Sequence, residues 1–249
     1  MTVKASGNTT SARGKKALRA PKPPSGMLTE ATITAVALDL IDREGLEKFS
    51  LRNLAAALGV YPSAVYWYLP TKDLVAAAVM NLVLRDVAPD IEPKAWKDYL
   101  RAVMLRCRQA IQRHPNTAPL LGAQLTANTR ADFGLIEGIL CALSAAGFEG
   151  PRLVDAYNST IATLVGFTTQ EFSPMPDSGE DWQKETQSRL DEISPVDYPV
   201  LSRNLSLLKN QAFILRWENG VRVALDNSFD MYIEIFIAGL EKMKKAPAK

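Results

Sequence analysis

Residues 50–74 read SLRNLAAALGVYPSAVYWYLPTKDL, and this stretch decides the fold. Ser50 can cap a short helix with apolar positions at Leu51, Leu54, Ala55 and Leu58. Gly59 follows where a helix needs a left-handed exit. A second short helix begins with Pro62 at a tolerated first-turn position and carries Val65, Tyr66, Trp67 and Tyr68. Two short helices joined by a Gly-containing turn make a helix-turn-helix, whose second helix is shaped to enter the DNA major groove. Three adjacent aromatics are too many for the buried side of so short a helix. Some must face outward, where ring edges and hydroxyls can meet DNA.

Upstream, Thr29 to Arg43 reads as an amphipathic helix with Ile33, Val36, Ala37, Leu40 and Ile41 on one stripe. Leu54 and Leu58 can pack on that stripe and hold the second helix at a fixed angle. Together, Thr29, Gly45, Leu54 to Val60, Tyr66-Trp67-Tyr68 and Lys72 resemble the DNA-binding domain of the tetracycline-repressor (TetR) family of transcription regulators, over about residues 27–86. The resemblance implies that Tyr66 and Tyr68 contact phosphate and that Lys72 does so from a helix N-terminus, where free N–H groups add positive potential. It implies that Pro62, Ser63, Ala64 and Trp67 face bases. Phosphate contacts position such a protein, and base contacts specify its sequence. Two positions depart from the family pattern: Tyr61 stands where a capping Ser or Thr is usual, and Ala64 where a hydroxyl is frequent. The reading surface is therefore largely apolar and suits thymine methyls better than guanine edges. The Trp67-containing version is especially similar to tetracycline repressors.

Charge adds a constraint. The 249-residue chain carries a formal net charge of only +2. Residues 1–26 hold six basic side chains and no acid, whereas residues 27–75 hold four basic against six acidic ones. Arg52, Lys72 and Lys48 must cluster locally if the stretch binds DNA. The tail, rich in Gly, Ser, Thr, Pro and Lys, has the composition of a disordered segment. It reads either as a solvated leader or as a mobile arm adding salt-dependent phosphate contacts. It lacks the apolar core of a signal peptide, so the expected location is cytoplasmic. No run of 18 apolar residues occurs, and two cysteines, Cys107 and Cys141, are too few for a disulfide scaffold.

Downstream, the pattern predicts an all-α chain. The expected helices are 72–87, 94–113, 128–146, 151–172, 181–192, 200–217 and 221–244, separated by Pro- and Gly-containing breaks. The expected organisation is a basic tail (1–26), a three-helix helix-turn-helix domain (27–87) and a larger helical domain (88–249) for ligand binding and dimerisation. In the final helix, Phe229, Tyr232, Ile233, Phe236, Ile237 and Leu240 form one stripe, with Met231, Ile235 and Ala238 largely off it. A helix apolar almost all round is buried on more than one side. The uncharged run 156–170, with Ser159, Thr160, Ala162, Thr163 and Gly166, permits close helix packing. Segment 133–172 and the ending AGLEK also resemble the C-terminal domain of the TetR family. That resemblance implies a homodimer through helices 151–172 and 221–244. Its recognition helices would sit about one DNA turn apart on a near-palindromic operator.

The expected effector pocket lies among helices 94–113, 128–146 and 151–172, lined by Met104, Cys107, Phe133, Leu140, Tyr157 and Ile161. Asn158 and Arg108 join Tyr157 as orienting polar groups. That mix fits a small apolar or aromatic molecule; core packing is the competing role for each residue. The tetracycline repressor's magnesium-binding His and Thr flank a Leu-Gly. The best match here is Leu120-Leu121-Gly122-Ala123, so that ligand set does not carry over. No His/Cys cluster has metal spacing, and no cofactor is called for. His114, the one histidine, precedes Pro115 at a helix end, where capping or a surface role is expected over catalysis. The sequence thus reads as a transcription regulator, a repressor released from its operator by a small organic effector. The alternatives are a helical enzyme or an interaction protein carrying a helix-turn-helix.

Overall fold

A computed structural model describes residues 28–123, 132–176 and 179–244. The basic tail and positions 128–131 of the expected third downstream helix lie outside the described residues. Eleven α-helices and no strands occur among the described residues.

The first four helices are α1 (Glu30–Glu44), α2 (Leu51–Leu58), α3 (Pro62–Tyr68) and α4 (Lys72–Leu84). Thr29, Ser50 and Thr71 cap α1, α2 and α4, each hydroxyl accepting an N–H three residues on. The expected stripe of α1 is buried at Ile33, Ala37, Leu40 and Ile41, with Val36 partly buried. Leu54, Leu58, Val65 and Leu69 join it in the core, as do Val75 and Val79 of α4.

The remaining helices are α5 (Trp96–Arg113), α6 (Ala118–Ala123), α7 (Phe133–Ala145), α8 (Gly150–Glu171), α9 (Gly179–Asp191), α10 (Pro199–Leu208) and α11 (Asp226–Met243). The central α5 buries Tyr99, Leu100, Val103, Met104, Cys107 and Ile111, and packs against α4, α7, α8 and α11. Gly138 lets α7 come close: a Cβ there would sit 1.8 Å from the Tyr99 hydroxyl.

Three elements differ from the sequence expectation. Helix α6, only six residues long and containing Pro119, is too short to show a period. The helix expected over 200–217 ends at Leu208. Asn210 then adopts φ 59°, and its side-chain oxygen accepts the N–H groups of Trp217 and Glu218 at 3.2 and 3.1 Å. The helix expected from 221 starts at Asp226, because residues 219–225 are bonded to Glu171 instead. Gly220 N–H donates to the Glu171 carbonyl at 2.7 Å, and Leu225 N–H donates to its Oε1 at 2.9 Å. The approach is so close that a Cβ on Gly220 would lie 2.6 Å from Glu171 Cγ.

Glu171 is fully buried and held by Arg108 through two bonds of 2.7 Å. Arg108 also donates to Asp226 at 2.8 Å and lies over the Phe229 ring. The bonds to Glu171 keep this guanidinium charged well beyond its ordinary range, against the opposing effect of burial. Removing Arg108 would leave a buried carboxylate unpaired. Arg108→Ala should therefore lower stability by about 3–5 kcal/mol in urea unfolding. A loss below about 1 kcal/mol would show that Glu171 reaches solvent.

Candidate functional site

The helix-turn-helix is built by local chemistry. Gly59 takes φ 68°, and two bonds close the end of α2: Gly59 N–H to Ala56 O at 3.1 Å and Val60 N–H to Ala55 O at 3.0 Å. This paired closure is the Schellman motif, which needs a left-handed residue at Gly59. It turns the chain into α3, where Pro62 opens the helix and Tyr61 makes no side-chain cap.

Helix α3 is anchored by one residue and open elsewhere. Val65 is 0% exposed, and Leu69 just beyond the helix is equally buried. Trp67 is 78% exposed and Tyr66 47%. Pro62 and Ser63 are exposed and Ala64 half-exposed, so every position expected to face bases reaches the surface. Tyr68 is less exposed than Tyr66 and Trp67. It is half-buried against the core and meets Trp67 edge-to-face at 4.9 Å, supporting the outward indole from behind. Tyr61, also exposed, adds a further aromatic beside the expected set. Lys72 and Arg52 are exposed. Lys72 starts α4, and its ammonium lies 5.8 Å from the centre of the Phe49 ring. That ring limits where the charge can go and keeps it near the helix N-terminus.

In the larger domain the expected effector-pocket residues separate into three environments. Met104, Cys107 and Arg108 are buried in the core. Leu140, Tyr157 and Ile161 are half-buried, and Phe133 and Asn158 are exposed. Arg108 is committed to Glu171 and Asp226, so its side chain is a structural tie. Burial pushes the Tyr157 phenol above its ordinary value. It also pushes the Cys107 thiol up to about 12, so at neutral pH that sulfur is a protonated core group.

One feature is invisible to motif reading. His114 Nδ1 lies 2.7 Å from Asp42 Oδ2, joining the end of α5 to the end of α1. Asn116 donates to the carbonyls of Ile41 and Asp42, both at 3.0 Å. The 3-10 turn Pro115–Thr117 thus docks on the C-terminus of α1. Asp42 and His114 stand 72 positions apart, so no local pattern could pair them.

These features define a helix-turn-helix DNA-binding protein with a separate helical domain behind it. The chain matches the family described as "Tetracyclin repressor-like, C-terminal domain" over residues 88–244, and "Bacterial regulatory proteins, tetR family" over residues 33–79. It belongs to the TetR family and is a DNA-binding transcription regulator. An "HTH-type transcriptional regulator" of Saccharopolyspora erythraea is 29% identical over 184 residues, covering 72% of this chain and 75% of that one. The "Tetracycline repressor protein class G" of Vibrio anguillarum is 26% identical over 226 residues, covering 88% and 96%. Among solved structures, Streptomyces coelicolor ActR in complex with (S)-DNPA shares the fold at a TM-score of 0.65 and 20% identity, covering 88% of this chain and 100% of that one. BioQ with its double-stranded DNA operator aligns at a TM-score of 0.53 and 28% identity, covering 59% and 89%.

The two thiols should behave oppositely. A thiol reagent at neutral pH should label exposed Cys141 in the folded protein, and Cys107 only after denaturation. Mass spectrometry of the singly labelled protein reads the site directly. Equal labelling of Cys107 without denaturant would mean that α5 opens readily.

Proposed function

We propose that this regulator is a homodimeric repressor that reads its operator with Ser63, Ala64, Trp67 and Pro62. Tyr66, Tyr68, Lys72 and Arg52 supply its phosphate contacts. The observation that carries the reading is α3 itself: Val65 holds the helix in the core while Trp67 and Tyr66 stand in solvent. An indole left in water on a short, otherwise anchored helix has no role in folding. The fold shared with BioQ, solved on its operator, supports the same use of this helix.

The domain boundary belongs to the proposal. Residues 27–87 read DNA, and residues 88–249 bind effector and dimerise. Helices α8 and α11 supply the dimer face. Met231 and Ile235 of α11 and Val154 of α8 are exposed in the protomer, whereas Phe229, Ile233 and Ile237 fill its own core. Met231 and Ile235 are residues that lay off the main stripe of the final helix in the sequence. Burying them against a second copy removes apolar surface from water.

Release by a small organic effector completes the proposal. ActR, similar in fold, is solved with (S)-DNPA and with actinorhodin. In this chain Tyr157 and Ile161 of α8 are half-buried against the core, and Leu140 of α7 is half-buried. The proposed set is completed by the buried Met104, Cys107 and Arg108 and by the exposed Phe133 and Asn158. A ligand that prefers the DNA-incompetent shape must weaken operator binding, and operator must weaken ligand binding by the same factor.

Selection from random duplexes should yield a near-palindromic operator. Trp67→Ala should then cost roughly 1–3 kcal/mol of binding and change the base preference, while Lys72→Ala should weaken all sequences and lower the salt slope by about one unit. Unchanged binding of both variants in mobility-shift titrations would remove α3 from the interface. Ile235→Asp should convert a dimer into a folded monomer in sedimentation at micromolar concentration, because it places a charge in the apolar seam. A parent chain that sediments as a monomer would exclude the assembly.

A further inference from the structure

A cavity of about 280 Å³ lies outside the α5, α7 and α8 cluster, where the end of α8, the start of α9 and the turn after α10 meet. Its walls include Met175, Trp182, Phe213 and Trp217, with Ile214 at 94% exposure also lining it. Arg216 lines it too, although only 8% of that residue is exposed. Arg216 Nε donates to the Glu218 carbonyl and one terminal nitrogen to the Val223 carbonyl, each at 2.6 Å. The other terminal nitrogen has no hydrogen-bond partner among the described residues. A buried guanidinium nitrogen without an acceptor is costly. The neighbouring carboxylates are otherwise engaged: Glu171 by Arg108, and Glu218, which also lines the cavity, by Asn210 at 2.9 Å. Burial lowers the proton affinity of Arg216 and outweighs the opposing pull of Glu171 and Glu218.

Two indoles and a phenyl ring beside an under-bonded guanidinium suit a flat aromatic body with one acidic group. The volume lies at the small end of ligand pockets, which run from roughly 300 to 1,000 Å³. Pro174, Met175 and Pro176 also line a wider cleft of about 750 Å³. Residues 43–48, the connection between α1 and α2, line that same cleft. One short segment is therefore shared by the cavity and by the cleft beside the DNA-reading domain.

We propose that this cavity is an effector site for a small aromatic carboxylate, held by Arg216 and signalling to the helix-turn-helix through residues 174–176. The site is additional to the pocket proposed among α5, α7 and α8, and its signalling rests on the regulator reading. The probe is sodium 2-naphthoate, titrated calorimetrically into the full chain, with 2-naphthylmethylammonium as the control of like size and opposite charge. Naphthoate should bind saturably at one per chain, and the ammonium should not. Arg216→Gln and Ile214→Asp should each weaken naphthoate by roughly tenfold or more. Ile214 is exposed, so that variant keeps the test decisive if Arg216→Gln fails to fold. No binding up to about 1 mM, equal binding of both probes, or parent-like binding by Ile214→Asp overturns the site. Operator affinity, measured with and without saturating naphthoate, should fall by roughly tenfold, a typical coupling. An unchanged affinity overturns the signalling. A chain that binds no selected duplex at all overturns the regulator reading, and the calorimetry still decides the site.

Discussion

The Arg108–Glu171 pair is the constraint on which the larger domain depends. A carboxylate with no solvent exposure must be paired, and here one arginine, one backbone amide and a carbonyl-held turn surround it. The pair joins α5 to α8, and Asp226 brings in the start of α11. Such a cluster adds less to stability than apolar packing of the same volume would, but one misplaced member leaves a buried charge. Beside the cluster, Phe167 meets Phe213 edge-to-face, Phe229 at a tilt and Tyr232 in a stack.

The joint between the two parts of the molecule is built differently. Helix α4 runs into the larger domain through apolar contacts, whereas α1 meets it through His114, Asn116 and the backbone carbonyls of Ile41 and Asp42. Polar contacts of this kind are directional and break over short displacements. Asp42 Oδ1 has no hydrogen-bond partner among the described residues, so the aspartate is held on one side only. Any effector that acts on operator affinity has to act on the relation between these parts.

The DNA-reading surface was legible because its determinants are local. A capping hydroxyl, a left-handed glycine and a proline each act within one or two turns, and Ser50, Gly59 and Pro62 all do so as their residue types require. The excess of aromatics on α3 likewise implied outward rings, and Trp67 and Tyr66 are the ones exposed. The effector residues were less legible. A run of apolar side chains such as Met104 and Cys107 reads the same whether it lines a cavity or fills a core, and here both are core. Arg108 read as a polar group available to a ligand because its partners lie 63 and 118 positions away.

By itself the sequence determined the helical class, the helix-turn-helix, its outward aromatics and the buried stripes of α1 and α11. These follow from side-chain period and from cap and turn chemistry, which act between neighbours. Only the tertiary structure decided where α10 stops, why α11 starts at Asp226, and how His114 and Asp42 meet. It alone placed the under-bonded Arg216 beside Trp182 and Trp217. The start of α11 and the His114–Asp42 contact depend on groups 54 and 72 positions apart, and the turn after α10 on Asn210 bonds to residues 7 and 8 positions on, all beyond the reach of a helix period.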